Sequence, residues 1–240
     1  MSKPPPSHER FDQRDATLGF LALAASATDV IAFVKLDNVF TSAMTGNTAL
    51  LGLALGQGHI AAAFNSLVAL GGYIGGVALG ALIHARDKQR ELILTLLAEI
   101  LLLGAWYFLW LVNGFPQGHG QVLLYAMILP LSLAMGVQSV VARRINVEGI
   151  PTVVFTSTLT SIVMTLMHAT VRGRGATSLF NAKRQSLAFL TYAAGASFTA
   201  LLLWRWPGLA VGIPLLGLVL ALVLCLGPSR FIPKRQTGVL

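Results

Sequence analysis

The stretch Val39-Phe40-Thr41-Ser42-Ala43-Met44-Thr45-Gly46-Asn47 decides how this chain must fold. It sets Thr41, Ser42, Thr45 and Asn47 inside a segment otherwise apolar enough for lipid. It then returns as Val154-Phe155-Thr156-Ser157-Thr158-Leu159-Thr160-Ser161. The same polar interruption in each half implies two related halves that meet at a polar site. In membrane proteins that arrangement points to solute transport.

Composition places the chain in a bilayer. Of its 240 residues 55% are hydrophobic and 11% charged, with a mean hydropathy of +0.73, whereas a soluble domain carries about 25% charged residues. Apolar runs of spanning length recur throughout, leaving no room for a separate soluble domain. The formal charge of +8 is not a nucleic-acid signal, because the basic residues sit in connectors and tails with no basic stripe or aromatic platform. Cys225 is the single cysteine, so an intrachain disulfide and a multi-cysteine metal site are both excluded. Residues 1–15, with Pro4, Pro5 and Pro6, read as a disordered cytoplasmic tail too polar for a signal peptide. Residues 16–227 form one membrane domain, with halves at 16–112 and 121–227, and 228–240 form a second cytoplasmic tail.

Eight apolar segments can be drawn, at 16–36, 39–57, 60–83, 91–112, 121–142, 152–169, 186–204 and 207–227. The basic residues test whether all of them cross. If they did, Arg86, Lys88 and Arg90 would lie outside while both tails lay inside, against the positive-inside rule. If 39–57 and 152–169 instead enter and return, or are broken helices, every basic cluster falls on the cytoplasmic side. Arg10 and Arg14, Arg143 and Arg144, Arg172 to Arg184, and Arg230 to Arg235 are then all inside, with the lone Arg205 misplaced. The expectation is six crossings plus two broken or re-entrant segments, with both termini cytoplasmic. Three crossings and one broken segment per half make an inverted-topology repeat. Asn65-Ser66-Leu67 with Gly75 also matches Gln185-Ser186-Leu187 with Gly195.

Asp29 is the most expensive residue, since an aspartate at the centre of a spanning helix costs about 2.5–3.5 kcal/mol unless it meets a partner or cavity. It reads either as a proton- or cation-coupling carboxylate or as a structural acceptor for backbone N–H groups freed around Thr41–Thr45. Thr41, Ser42, Thr45 and Asn47, with Thr156, Ser157, Thr158 and Thr160, would cap helix starts inside the membrane and present positive dipole ends to an anionic or polar solute. The alternative is that these hydroxyls satisfy their own helix backbone. Gly46 permits close backbone approach, and Gln138 is the neutral counterpart of Asp29. Glu99 is a second intramembrane acid, a candidate for ion or proton coupling or for pairing with Lys35. Lys35 and Asp37 read as an interfacial pair.

The small-residue run Gly71, Gly72, Gly75, Gly76 and Gly80 predicts tight helix packing, within the fold or between protomers of a homo-oligomer. Trp106, Trp110, Trp204 and Trp206 lie near segment ends and read as interface anchors. The histidines form no metal pattern, no nucleophile accompanies the acids, and neither cofactor nor enzymatic activity is indicated.

Asp29 followed by Phe40-Thr41-Ser42-Ala43-Met44-Thr45-Gly46-Asn47 resembles the signature of the YoaK-like family of bacterial transmembrane proteins of unknown function. Met135-Gly136-Val137-Gln138 and the Thr156–Thr160 segment resemble its second-half counterparts, over roughly 16–227. The resemblance implies a bacterial inner-membrane protein of about six spans and supplies no substrate. Ser161 stands where a glycine would mirror Gly46. The combined expectation is a small-solute transporter or channel whose solute binds near midplane between the two breaks. The alternative is a non-transporting membrane scaffold. A membrane enzyme is a distant third.

Overall fold

A computed structural model describes residues 11–116, 120–145, 155–172 and 176–227, with side chains throughout except at 155–157, 169–172 and 176–178. The described residues form helices and connectors: α1 (Gln13–Lys35), α2 (Met44–Gly56), α3 (Ile60–Leu82), α4 (Lys88–Asn113), α5 (Gln121–Ile145), α6 (Phe155–Arg172), α7 (Ala176–Arg205) and α8 (Pro207–Leu226). Six of them, α1, α3, α4, α5, α7 and α8, are long and apolar enough to cross a bilayer. α2 has 13 residues, about 20 Å at 1.5 Å per residue, too short for a hydrocarbon core of about 30 Å. α6 has 18 residues, and among its residues with described side chains Thr158–His168 forms an apolar stretch shorter than a span. Six spans and two shorter elements follow, as the basic clusters implied.

Helix ends extend beyond the apolar runs for identifiable reasons. At α1 a capping box starts the helix: Asp12 accepts from the Arg14 and Asp15 N–H groups, and Asp15 accepts from the Asp12 N–H at 3.0 Å. The expected disordered tail through residue 15 is therefore corrected at its end, since 12–15 are built into the helix start. The seventh segment was expected to begin at 186, yet α7 begins at Ala176. Its added turns are polar but anchored, because Arg184 reaches the Asp15 carboxylate at 2.5 Å. Apolarity marks only the part of a helix in lipid, so it misses turns held by ion pairs at the rim.

Contacts between helix ends fix the direction of every span. Arg184 near the start of α7 pairs with Asp15 at the start of α1. Gln89 at the start of α4 donates to the Cys225 carbonyl at the end of α8, at 3.2 Å. Arg144 at the end of α5 bonds Glu91 of α4 at 2.9 Å and the Ile83 carbonyl after α3 at 2.7 Å. The starts of α1, α4 and α7 thus share one face with the ends of α3, α5 and α8. On the opposite face Lys35, ending α1, lies 5.4 Å from the ring centroid of Phe115 just beyond α4. The first and last spanning helices therefore put their outer ends on the same face.

Packing follows the small residues. α3 lies against α5, α1 against α7 and α8, α4 against α5 and α8, α2 against α3, and α6 against α7, while α1 and α5 cross at the centre. A Cβ on Gly76 would overlap the Leu133 carbonyl of α5, and one on Gly136 would overlap the Tyr73 carbonyl of α3. Gly72 and Gly80 face Ser132 and Val140 in the same way, so the glycine run is covered by α5 within this chain. Its other expected use, between protomers, would have to rest on Gly71, which meets open space. The α1·α7 contact reuses the device, with Gly195 against Leu23 and Ser26. Outward-facing Ile74, Leu82, Leu101, Phe108 and Leu201 leave an apolar perimeter suited to lipid.

Trp204 and Trp206 are exposed near the rim, as interface anchors should be. Trp106 is not an anchor. It is 1% exposed and belongs to the core. Its position on α4 continues the inward face of Leu92, Leu96 and Leu103, which a reading by distance from the segment end overlooks.

Candidate functional site

After Lys35 the chain turns through Asp37 and Asn38, both left-handed at φ 55° and 59°, a conformation that Asp and Asn adopt more readily than other non-glycine residues. It then runs back along α1 until Thr41 and Ser42 meet Asp29. Asp29 lies six residues before Lys35, about 9 Å along the helix. The segment 39–43 is therefore non-helical backbone carried below the end of α1, and α2 starts from that depth. Such backbone is tolerated at membrane depth only where it is buried in protein or lines a cavity. Here it is buried: Val39, Thr41 and Ser42 are at most 3% exposed.

Its hydrogen bonds can be followed one by one. Asp29 Oδ1 accepts from the Thr41 N–H at 2.7 Å, the Ser42 N–H at 2.8 Å and the Thr41 hydroxyl at 3.0 Å. Asp29 Oδ2 accepts from the Ser42 hydroxyl at 2.5 Å and the Tyr192 hydroxyl at 2.8 Å. Asn47 holds the other end of the break, accepting from the Phe40 N–H at 2.8 Å and donating to the Phe40 carbonyl at 2.6 Å. Gly46 belongs to the same construction, since a Cβ there would sit 2.9 Å from the Phe40 ring. That ring is pinned by stacking on Phe33 at 4.9 Å.

The sequence-named residues thus divide. Asp29, Thr41 and Ser42 come together, joined by Tyr192 of the second half. Asn47 and Gly46 hold the break from α2, and Thr45 is exposed. Gln138 is fully buried and donates to the Leu21 carbonyl at 2.9 Å, tying α5 to α1. Its neighbour Met135 accepts a contact from the Thr28 hydroxyl at 3.2 Å. On α6 Thr158 is buried and Thr160 exposed, while the Thr156 side chain and the connector before α6, where the sequence places a second break, lie outside the described residues. Glu99 is fully buried in α4, and neither carboxyl oxygen has a hydrogen-bond partner among the described residues. It does not meet Lys35, whose ammonium lies over Phe115 instead of pairing with Glu99 or Asp37. Among the described residues no three His, Cys, Asp or Glu side chains cluster as a metal site.

Tyr192 was not singled out in the sequence. The available signal was a lone tyrosine inside an apolar run, whose hydroxyl must find a partner when buried. The Arg144–Glu91 ion pair also emerges only in three dimensions, with Arg144 donating in addition to the Thr95 hydroxyl.

These features define a multi-pass, all-helical membrane protein with a re-entrant segment held at depth by a buried carboxylate. The chain belongs to the family described as "Protein of unknown function (DUF1275)", which matches residues 17–226. It is similar to the UPF0700 transmembrane protein YoaK of Bacillus subtilis (strain 168), at 33% identity over 189 residues, covering 78% of this chain and 83% of that protein. No solved structure matches.

Proposed function

We propose that this chain is a small-solute transporter or channel of the bacterial inner membrane, built as an inverted repeat with both termini cytoplasmic. One observation carries the reading. A carboxyl group with no ion-pair partner among the described residues, Asp29, sits inside the helix bundle where a re-entrant segment of the first half meets a helix of the second half. A charge at that depth is kept only for substantial structural or functional return, and a helix interrupted at depth is the usual way to build a polar site in lipid.

The inverted repeat has independent support. When α1–α4 are exchanged with α5–α8, the pair α3·α5 becomes α7·α1, α4·α5 becomes α8·α1, and α2·α3 becomes α6·α7. The pairs α1·α5 and α4·α8 map onto themselves, as elements at a twofold axis must; α7·α8 is the exception, since α3·α4 is not among the closely packed pairs. Gly75 meets Leu133 of α5, while its sequence counterpart Gly195 meets Leu23 and Ser26 of α1, the exchanged helix. Orientation follows from charge: the face holding Arg86, Lys88, Arg90, Arg143, Arg144, Lys183 and Arg184 is the cytoplasmic one.

In this reading Asp29 is the latch of the first break. Holding Thr41 and Ser42 closes the re-entrant segment on the bundle, and releasing them opens a path past the start of α2. Solute, polar or anionic, would pass Thr41, Thr45 and the start of α2 and then the Thr156–Thr160 segment. The scaffold alternative is weakened because α5 covers most of the glycine face that would have served a partner.

Cysteines placed singly at 41, 45, 156 and 160 in a Cys225→Ala background test the proposal in proteoliposomes. A transporter exposes all four to a water-soluble maleimide during turnover, and Asp29→Asn alters flux of the transported solute. A chain that labels only at 45 and 160, and passes no solute from a broad panel, is a scaffold.

A further inference from the structure

We propose that Glu99 is the proton-binding site of this protein, loaded along the stripe Glu91–Thr95–Glu99 from the face that holds the starts of α1 and α4 and the end of α8, with Arg144 as its counter-charge. The two intramembrane acids have opposite surroundings. Around Asp29 the Thr41 and Ser42 N–H groups can only donate, and both point at one oxygen. That geometry suits a carboxylate and has no place for a proton on Oδ1. Around Glu99 no donor among the described residues reaches either oxygen, and the residue is 0% exposed. A bare carboxylate there would lack every compensation that a buried charge requires. The neutral acid, with a proton on one oxygen, is the form this pocket can hold.

The route is written on α4. Glu91, Thr95 and Glu99 are spaced four residues apart and therefore stack on one helix face, about 6 Å per step. Glu91 stands at the rim with its side chain 23% exposed and paired to Arg144. Thr95 is fully buried and its hydroxyl accepts from Arg144 while donating to the Glu91 carbonyl at 2.7 Å. Beyond Glu99 the same face continues as Leu103 and Trp106, both 1% exposed, which seal it from the other side. The stripe leads from the rim to a buried acid.

The elements packed on α4 are α5 and α8. α8 carries one titratable side chain, Cys225, at the level of Gln89. α5 carries Tyr125 near its far end and Arg143 and Arg144 at the rim. Arg144 touches Thr95, one helical turn before Glu99. When the Glu99 O–H passes its proton to water entering along the stripe, the carboxylate left behind attracts the Arg144 guanidinium away from Glu91. That gives the α4·α5 contact two charge states differing by one proton.

The coupling role rests on the transport reading, whereas the proton site itself does not. Dicyclohexylcarbodiimide, a lipid-soluble reagent, tests the site in folded, membrane-embedded protein. The carboxyl O–H adds across one N=C bond of the reagent to give an O-acylisourea, which rearranges to a stable N-acylurea. Mass spectrometry should find one adduct on the peptide containing Glu99, fading as pH rises, and none on Asp29. Glu99→Gln, which copies the neutral acid in shape, should fold normally and lose the adduct. Infrared spectra should show a protonated-carboxyl C=O band that disappears in Glu99→Gln and persists in Asp29→Asn. Thr95→Val should keep that band but slow its shift in D2O. An adduct on Asp29 with none on Glu99, or a band lost in Asp29→Asn, overturns the proposal. Loss of flux in Glu99→Gln with the band assigned to Glu99 supports coupling, while unchanged flux removes the coupling role and leaves the proton site standing.

Discussion

Replacing Asp29 by alanine strands the backbone that it holds. The Thr41 and Ser42 N–H groups, at 2.7 and 2.8 Å from Oδ1, have no other acceptor within the buried break. Leaving a buried donor unsatisfied costs about 1–3 kcal/mol, so the pair amounts to about 2–6 kcal/mol against the closed segment. Asp29→Asn is far milder, because the amide oxygen can take both N–H groups. Its NH2 then faces the Ser42 and Tyr192 hydroxyls, which can rotate to accept. Hydrogen–deuterium exchange on the peptide covering 39–47 reads this directly. Since every 1.4 kcal/mol is tenfold in a local opening equilibrium, Asp29→Ala should speed exchange there by roughly 30-fold or more. Asp29→Asn should stay within roughly tenfold, and exchange in α4 and α8 should be unchanged in both. If Asp29→Ala leaves exchange at 39–47 as in the parent chain, the carboxylate is not the latch and the reasoning fails.

Removing the Tyr192 hydroxyl with Tyr192→Phe deletes one donor to a charged acceptor. A loss of about 1.5–3 kcal/mol should appear as a lower melting temperature in detergent and faster exchange at 39–47. Gly76→Ala should destabilise by about 1–3 kcal/mol or more through overlap with the Leu133 carbonyl. Gly71→Ala, with open space around it, should be neutral in the same melting experiment. Arg144→Gln breaks the ion pair with Glu91 and the bonds to Thr95 and the Ile83 carbonyl. At a partly exposed rim this is worth about 1–2 kcal/mol in the melting assay.

How far the sequence speaks depends on whether the partners lie near one another along the chain. The six spans were legible because charged connectors and apolar lengths are local properties, and the basic cluster Arg86, Lys88 and Arg90 chose six crossings over eight. The break at 39–47 was legible because hydroxyls and a glycine interrupt an apolar run. That Asp29 and the N–H groups near Thr41 belong together followed from the need of a buried carboxylate for donors only 12 residues away in sequence. Tyr192 lies 163 residues from Asp29, and no local pattern relates them. Glu99 was visible as an acid in lipid, but its isolation is a property of α5 and α8 as much as of α4. Asn47 and Gly46 suggested a solute-facing motif, whereas they grip Phe40, because the spacing that suits a capped helix start also suits a staple across a turn. The rim ends of α1 and α7 were missed because polar residues at a helix start look like connector until Arg184 is seen to meet Asp15.

The sidedness of the break at 39–43 and of the start of α6 is the most direct test of the transport account. Cysteines at positions 45 and 160, both exposed, would be introduced one at a time into Cys225→Ala protein in oriented vesicles and challenged with a membrane-impermeant maleimide from either side. Opposed halves predict that position 45 labels from the periplasmic side and position 160 from the cytoplasmic side. Labelling of both from the same side would contradict the inverted arrangement, and with it the site between the two breaks.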